Sequence, residues 1–219
     1  LKSYVRLDGK PVLLSFGQNG LTDTEWMQCL DGLKVPVTYF SEHLRRSSAA
    51  GAFDWPIPKQ GLGAVERFRK TSAKWPHSIP VAFPRFVDIY AEAGVRPSFG
   101  RVEDDDGATF RTSMTQALQS KAAIVQVATW NDWGEGTVIE PSREFGYRDL
   151  EMLQELRRRH IDPRFSATPS DLRLPFQLLH CRRAKATPTR SSACNDISKS
   201  ISAGEFSEAR SKLKEISRR

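Results

Sequence analysis

At 219 residues, 39% apolar and 27% charged, the chain is long enough for one domain with a sizeable core, or for one domain with an appendage, but not for two equal domains. Its net charge of +7 gathers in the last third, in Arg157 to Arg159 and in Arg182, Arg183, Lys185 and Arg190. No aromatic interleaving, zinc spacing or recognition-helix pattern accompanies these runs, so they read as solvated helix and tail charge and no nucleic-acid partner is expected.

Pro11-Val-Leu-Leu-Ser-Phe16, closed by Gly17, has the length and flanks of a buried parallel strand. Thr22-Asp-Thr-Glu25 matches a capping box, and Trp26, Leu30 and Leu33 follow at helical spacing. Val35 to Phe40 reads as the next strand; after a Ser/Ala/Gly-rich loop, Leu62, Val65 and Phe68 mark a second helix. Ile79 to Phe83 is a third strand, with Met114, Ala117 and Leu118 on the helix after it. Ala122 to Thr129 is a fourth strand, and Tyr147, Leu150, Leu153 and Leu156 mark the fourth helix. Strands alternating with helices at this spacing predict a parallel sheet. Gly17-Gln-Asn-Gly20 lacks the spacing of a dinucleotide-binding turn, which favours a barrel over a doubly wound sheet.

The expected fold is therefore α/β, about four βα units of a (β/α)8 TIM-type barrel over residues 1–180. Pro-rich punctuation then reads as a linker over 181–195. Ile197, Ile201, Phe206, Ala209, Leu213 and Ile216, arranged across Gly204, predict a helical hairpin tail over 196–219.

Trp130-Asn-Asp-Trp-Gly-Glu-Gly-Thr137 begins where the fourth apolar strand ends, and active sites of parallel α/β folds sit at the carboxyl ends of strands. Gly134 and Gly136 permit a tight turn that brings Asp132 and Glu135 to one side. Paired carboxylates suit glycosyl transfer, provided one stays protonated and the other ionised. Trp130 and Trp133 offer flat faces for sugar C–H surfaces, and Asn131 can bond hydroxyls. Asn19, Asp54, Trp55 and Asp88, near the ends of the other strands, are further candidate sugar contacts.

The run Thr129-Trp-Asn-Asp-Trp-Gly-Glu-Gly-Thr-Val-Ile-Glu-Pro-Ser142, with Glu144-Phe-Gly-Tyr147, resembles the signature of glycoside hydrolase family 99-like and 71/99-like proteins. Tyr4 to Leu14, Gly51 to Trp55 and Pro84 to Tyr90 also resemble segments of these proteins. The resemblance implies a (β/α)8 barrel acting on α-linked, mannose-type glycans in an extracellular or periplasmic setting. In the characterised endo-α-mannosidases of family 99 the first acid of this run is thought to assist attack by the sugar's own 2-hydroxyl, and the second to protonate the leaving group; those roles fall on Asp132 and Glu135. Asp132 stands where those enzymes carry Glu, which withdraws the carboxylate by one methylene, a displacement that can cost ~100-fold in rate. The chain is similar to the carboxyl-terminal half of the family's barrel, so open strand edges are expected to favour self-association.

No cofactor is expected. Cys29, Cys181 and Cys194 are widely spaced and signal no disulfide framework, although Cys181 and Cys194 are the one pair close in sequence. The four histidines show no ligand spacing, and Glu103-Asp-Asp-Asp-Gly107 has its acids at the wrong offsets for a calcium loop, so no metal is expected. No stretch approaches the ~20 apolar residues of a membrane span. The chain starts at Leu1 with neither initiator Met nor leader, so any secretion signal is expected to have been removed or not included. Three functions are to be weighed: a glycoside hydrolase, a non-catalytic carbohydrate-binding remnant and, as the resemblance implies because relatives of this barrel are linked with such pathways, a protein of surface-polysaccharide biosynthesis. The last lacks a phosphate-cradling loop.

Overall fold

The computed structural model describes residues 4–17, 20–184 and 187–217. Gln18, Asn19, Lys185 and the last two residues of the tail lie outside them. Two compact units divide the chain, Leu1–Glu140 and Pro141–Arg219.

The first unit opens with β1 (Arg6–Leu7), antiparallel to β2 (Lys10–Ser15). The capping box forms as expected: the Thr22 side chain accepts from the Glu25 amide and the Glu25 carboxylate accepts from the Thr22 amide, which starts α1 (Asp23–Asp31). That helix stops before Leu33. Next come β3 (Thr38–Glu42), β4 (Gly51–Phe53), α2 (Leu62–Ser72), β5 (His77–Ile79) and β6 (Val81–Ala82). A short antiparallel ribbon of β7 (Phe86–Val87) and β8 (Arg101–Val102) precedes α3 (Ala108–Gln119) and β9 (Gln126–Val127).

β2, β3, β4 and β5 pair in parallel and in chain order; β6 continues β5 beyond Pro80 and pairs in parallel with β9. The parallel strands thus follow one another in chain order, with the β7–β8 ribbon inserted between β6 and β9 and no reversal of strand order. That is the winding of a barrel wall, not of a doubly wound sheet. The sheet is curled, and the fold is a partial TIM-type barrel. Val12, Phe40, Phe53 and Ile79, one from each of β2 to β5, form one apolar cluster; Val65, Val81, Phe83 and Ala128 form another.

Two strands differ from the sequence expectation. β4 lies in the segment read as a Ser/Ala/Gly-rich loop, because its three residues are too few to show periodicity. Its glycine is there for a tertiary reason: a Cβ on Gly51 would stand 2.1 Å from the His77 carbonyl oxygen and 2.9 Å from Cε1 of Phe40. The expected fourth strand, 122–129, shrinks to the two residues that pair with β6.

The second unit contains α4 (Arg148–His160), α5 (Leu174–Arg183), α6 (Pro188–Ser202) and α7 (Phe206–Ser217). Where a linker was expected over 181–195, the described residues hold the end of α5 and the first half of α6. Pro188, read as a linker signal, is instead a helix-starting proline, with the Thr187 hydroxyl accepting from the Arg190 amide. The two helices expected in the tail are α6, which starts earlier than expected, and α7, and α5 packs with them. Leu174, Leu178, Cys181, Cys194, Ile197, Ala209, Leu213 and Ile216 make their common core. Asp171, buried before α5, accepts from the Thr168 amide at 2.7 Å and pairs with Arg210 of α7. No helix among the described residues is long and apolar enough to cross a membrane.

Candidate active site

The run after β9 is a closed loop whose backbone is tied at its neck and along one side. At the neck the Thr129 amide donates to the Thr137 carbonyl at 2.9 Å, the Glu140 amide donates to the Trp130 carbonyl at 2.8 Å, and the Thr129 and Thr137 hydroxyls are 3.0 Å apart. Along the side, Val87 and Ile89 donate to the carbonyls of Glu135 and Gly134 at 2.9 and 3.1 Å. Only one of the two glycines is required for this path. Gly136 has φ +67° and its Cβ would lie 2.7 Å from the Val87 carbonyl oxygen, whereas beside Gly134 the nearest atom is 3.5 Å away.

Inside the loop, Asp132 is held at both ends. Its amide donates to the Thr129 hydroxyl at 2.9 Å, and its Oδ1 accepts from the Glu135 amide at 3.0 Å. Both acids are half-buried, while Trp130 and Trp133 are 53% and 54% exposed and Asn131 is exposed too. Burial pushes the Glu135 carboxyl above its ordinary range, and the charges of Asp132 and Asp88 push it further; a hydrogen bond from Tyr90 and the charge of Arg96 oppose the rise. Burial and the charges of Glu135, Asp132 and Asp88 likewise raise the Tyr90 phenol.

Asp88, Tyr90 and Arg96 therefore belong to the electrostatic surroundings of Glu135. Asp88 is also a loop organiser: its carboxylate accepts from the Tyr90 and Phe99 amides at 3.3 and 2.8 Å and from the Ser98 hydroxyl at 2.9 Å. The Tyr90 ring is set edge-on against Phe99, 5.6 Å between centroids, and the Arg96 guanidinium covers the other ring at 3.7 Å. Sequence reasoning missed Tyr90 and Arg96. The one available signal was the position of Tyr90 two residues after Asp88.

Asp54 and Trp55 stand elsewhere, directly after β4. Asp54 is only 2% exposed; its Oδ1 accepts from the Trp55 amide at 3.0 Å and lies 3.1 Å from Nδ1 of His43. Its Oδ2 is buried with no hydrogen-bond partner among the described residues. Burial raises the Asp54 carboxyl despite the imidazole. Burial opposes charge on His43, but the Asp54 hydrogen bond and charge, helped by Glu42, lift its pKa above the ordinary value. The Trp55 ring meets Phe16 edge-on at 4.9 Å and packs on both apolar clusters. A cavity of about 350 Å³ lies at the opposite, amino-terminal end of the strands, lined by His77, Ser78 and Ala122 to Ile124 among others, away from either acid of the β9 turn. Among the described residues no cluster of three His, Cys, Asp or Glu could hold a metal.

A parallel sheet wound in chain order, with its acid-bearing turn at the carboxyl end of a strand, has the architecture of part of a (β/α)8 barrel. Solved structures share this fold. The family 99 endo-α-mannosidase of Bacteroides thetaiotaomicron in complex with bis-tris-propane matches with a TM-score of 0.55 at 14% identity, over 72% of this chain and 60% of that one. A second structure of the Bacteroides thetaiotaomicron family 99 endo-α-mannosidase gives 0.54 at 17% identity, over 71% and 57%. A structure described as a glycoside hydrolase-like protein gives 0.54 at 16%, over 71% and 56%. The protein is thus family 99-like in fold, at low identity, and spans about three-fifths of the length of these structures. A family model described as Glycosyltransferase WbsX matches residues 101–153, which include the β9 turn. A comparison with curated proteins finds no match.

Proposed function

We propose that the turn after β9 is the acid/base centre of a glycoside hydrolase-like protein acting on an α-linked, mannose-type polysaccharide. One observation carries the reading: a half-buried glutamate with a raised pKa stands beside a second carboxylate, flanked by two exposed indoles. Glu135 is the general acid. Its raised pKa keeps it protonated at pH values where an ordinary carboxyl has ionised, which is what donation to a leaving oxygen requires. Asp132, oriented by the Thr129 hydroxyl and the Glu135 amide, is the partner carboxylate that assists attack at the sugar. Trp130 and Trp133 supply stacking faces, and Asn131 supplies hydrogen bonds to hydroxyls.

The test is release of reducing sugar from α-mannan by the full chain, and its loss in Glu135→Gln. General acid catalysis contributes ~10²–10⁴-fold, and the variant is expected to lose that much. Glycan binding without turnover, unaffected by Glu135→Gln, would select a carbohydrate-binding protein instead. The match to a glycosyltransferase model over residues 101–153 favours a second reading, glycan assembly at the same turn. Binding of a nucleotide-sugar, measured by calorimetry, would select it.

A further inference from the structure

The second unit holds a pair of thiols that the proposed chemistry does not use. Cys181 on α5 and Cys194 on α6 place their sulfurs 3.0 Å apart, about 1 Å beyond the ~2.05 Å of a covalent S–S bond. Both side chains are buried, at 8% and 1% exposure, in the apolar core that α5, α6 and α7 share. Among the described residues no third His, Cys, Asp or Glu completes a metal site with them.

We propose that Cys181 and Cys194 are a disulfide site that staples α5 to α6. The oxidant is a low-molecular-weight disulfide such as oxidised glutathione. One cysteine sulfur displaces a glutathione thiolate and forms a mixed disulfide; the other attacks that bond and displaces the second glutathione. The two protons leave the cysteines and end on two reduced glutathiones, so two thiols and one disulfide become one disulfide and two thiols. A cavity of about 250 Å³ is lined by Arg182, Arg190, Ser191, Cys194 and Asn195, and Arg190 Nη1 lies 4.0 Å from the Cys181 sulfur.

Burial and the contact with Cys181 push the Cys194 thiol up to about 11. In the folded, reduced protein this sulfur is a poor nucleophile, so bond formation belongs to folding in an oxidising compartment. Once formed, the bond is shielded by the same apolar packing.

The experiment uses the full chain carrying Cys29→Ser, which removes the exposed third thiol. The protein is refolded in a buffer of oxidised and reduced glutathione, and its unreduced peptides are mapped by mass spectrometry. A peptide joining Cys181 to Cys194 is expected. Free, alkylatable thiols, or cysteines carrying glutathione, would overturn the proposal. The oxidised three-helix unit should melt on the order of 10 °C above the reduced one, and an unchanged melting temperature would refute stapling. The further double variant Cys181→Ala/Cys194→Ala should melt at one temperature with and without reductant; a shift there would assign the effect to something other than this pair.

Discussion

Two of the strand ends of the first unit that carry aspartates use them differently. After β4, Asp54 is sealed at 2% exposure and faces the imidazole of His43. After β9, Asp132 and Glu135 are half-buried, and their electrostatic neighbours are mostly other acids. The Asp54 carboxylate serves as an acceptor that holds the His43 imidazole and the Trp55 amide, although its burial opposes its ionisation. A carboxylate crowded by like charge beside exposed indoles costs stability where it stands, and such costs concentrate at functional sites. Position at the end of a strand is therefore not enough to identify a catalytic acid; the surroundings decide.

The contrast can be broken first at Asp54. Asp54→Ala leaves the His43 imidazole and the Trp55 amide without their acceptor and should cost about 3 kcal/mol in urea unfolding. Asp132→Ala should cost no more than about 1 kcal/mol, the worth of a capping interaction, while removing activity. Equal stability losses would erase the distinction. Next, Gly136→Ala forces a Cβ toward the Val87 carbonyl at positive φ. It should lower stability by about 2 kcal/mol and displace Glu135, whereas Gly134→Ala, which would meet only ordinary contacts of 3.5 Å or more and needs no positive φ, should do neither. Thermal melts and sugar-release assays on the two variants check this.

The pH dependence separates the regions further. His43 has a raised folded pKa, so the stability it contributes is complete below its unfolded pKa near 6.5 and is lost as pH rises through the higher folded value. His43→Gln should flatten that alkaline decline in melting temperature. Glu135 is raised as well, so the folded state holds its proton above 4.5, and activity should fall as pH climbs through its folded pKa. The smallest effect is expected from Tyr90→Phe. It removes a hydrogen bond that lowers the Glu135 pKa, and so should move the basic limb of the pH–rate profile upward. A downward move would contradict the role given to the phenol.

What was legible in the sequence was local. The Thr22 to Glu25 box, the helical spacing in α2, α3 and α4, and the acids of the β9 turn are each defined by residues a few positions apart. β4 was not legible, because Gly51 is fixed by a Phe40 ring and a His77 carbonyl that the fold brings alongside it. Pro188 misled for the opposite reason: proline punctuates linkers and also opens helices, and only the Thr187 cap distinguishes the two. His43 and Tyr90 gain their meaning from Asp54 and Glu135, 11 and 45 residues away in the chain, and no spacing rule reaches that far.

The central claim is that Glu135 delivers the proton to the leaving group, and a leaving-group comparison tests it most directly. Glu135→Gln is assayed on an unactivated mannan oligosaccharide and on an aryl glycoside whose phenolate departs without protonation. The account predicts a kcat loss of ~10²–10⁴-fold on the first substrate and near-parental turnover on the second. Equal losses on both substrates would contradict it.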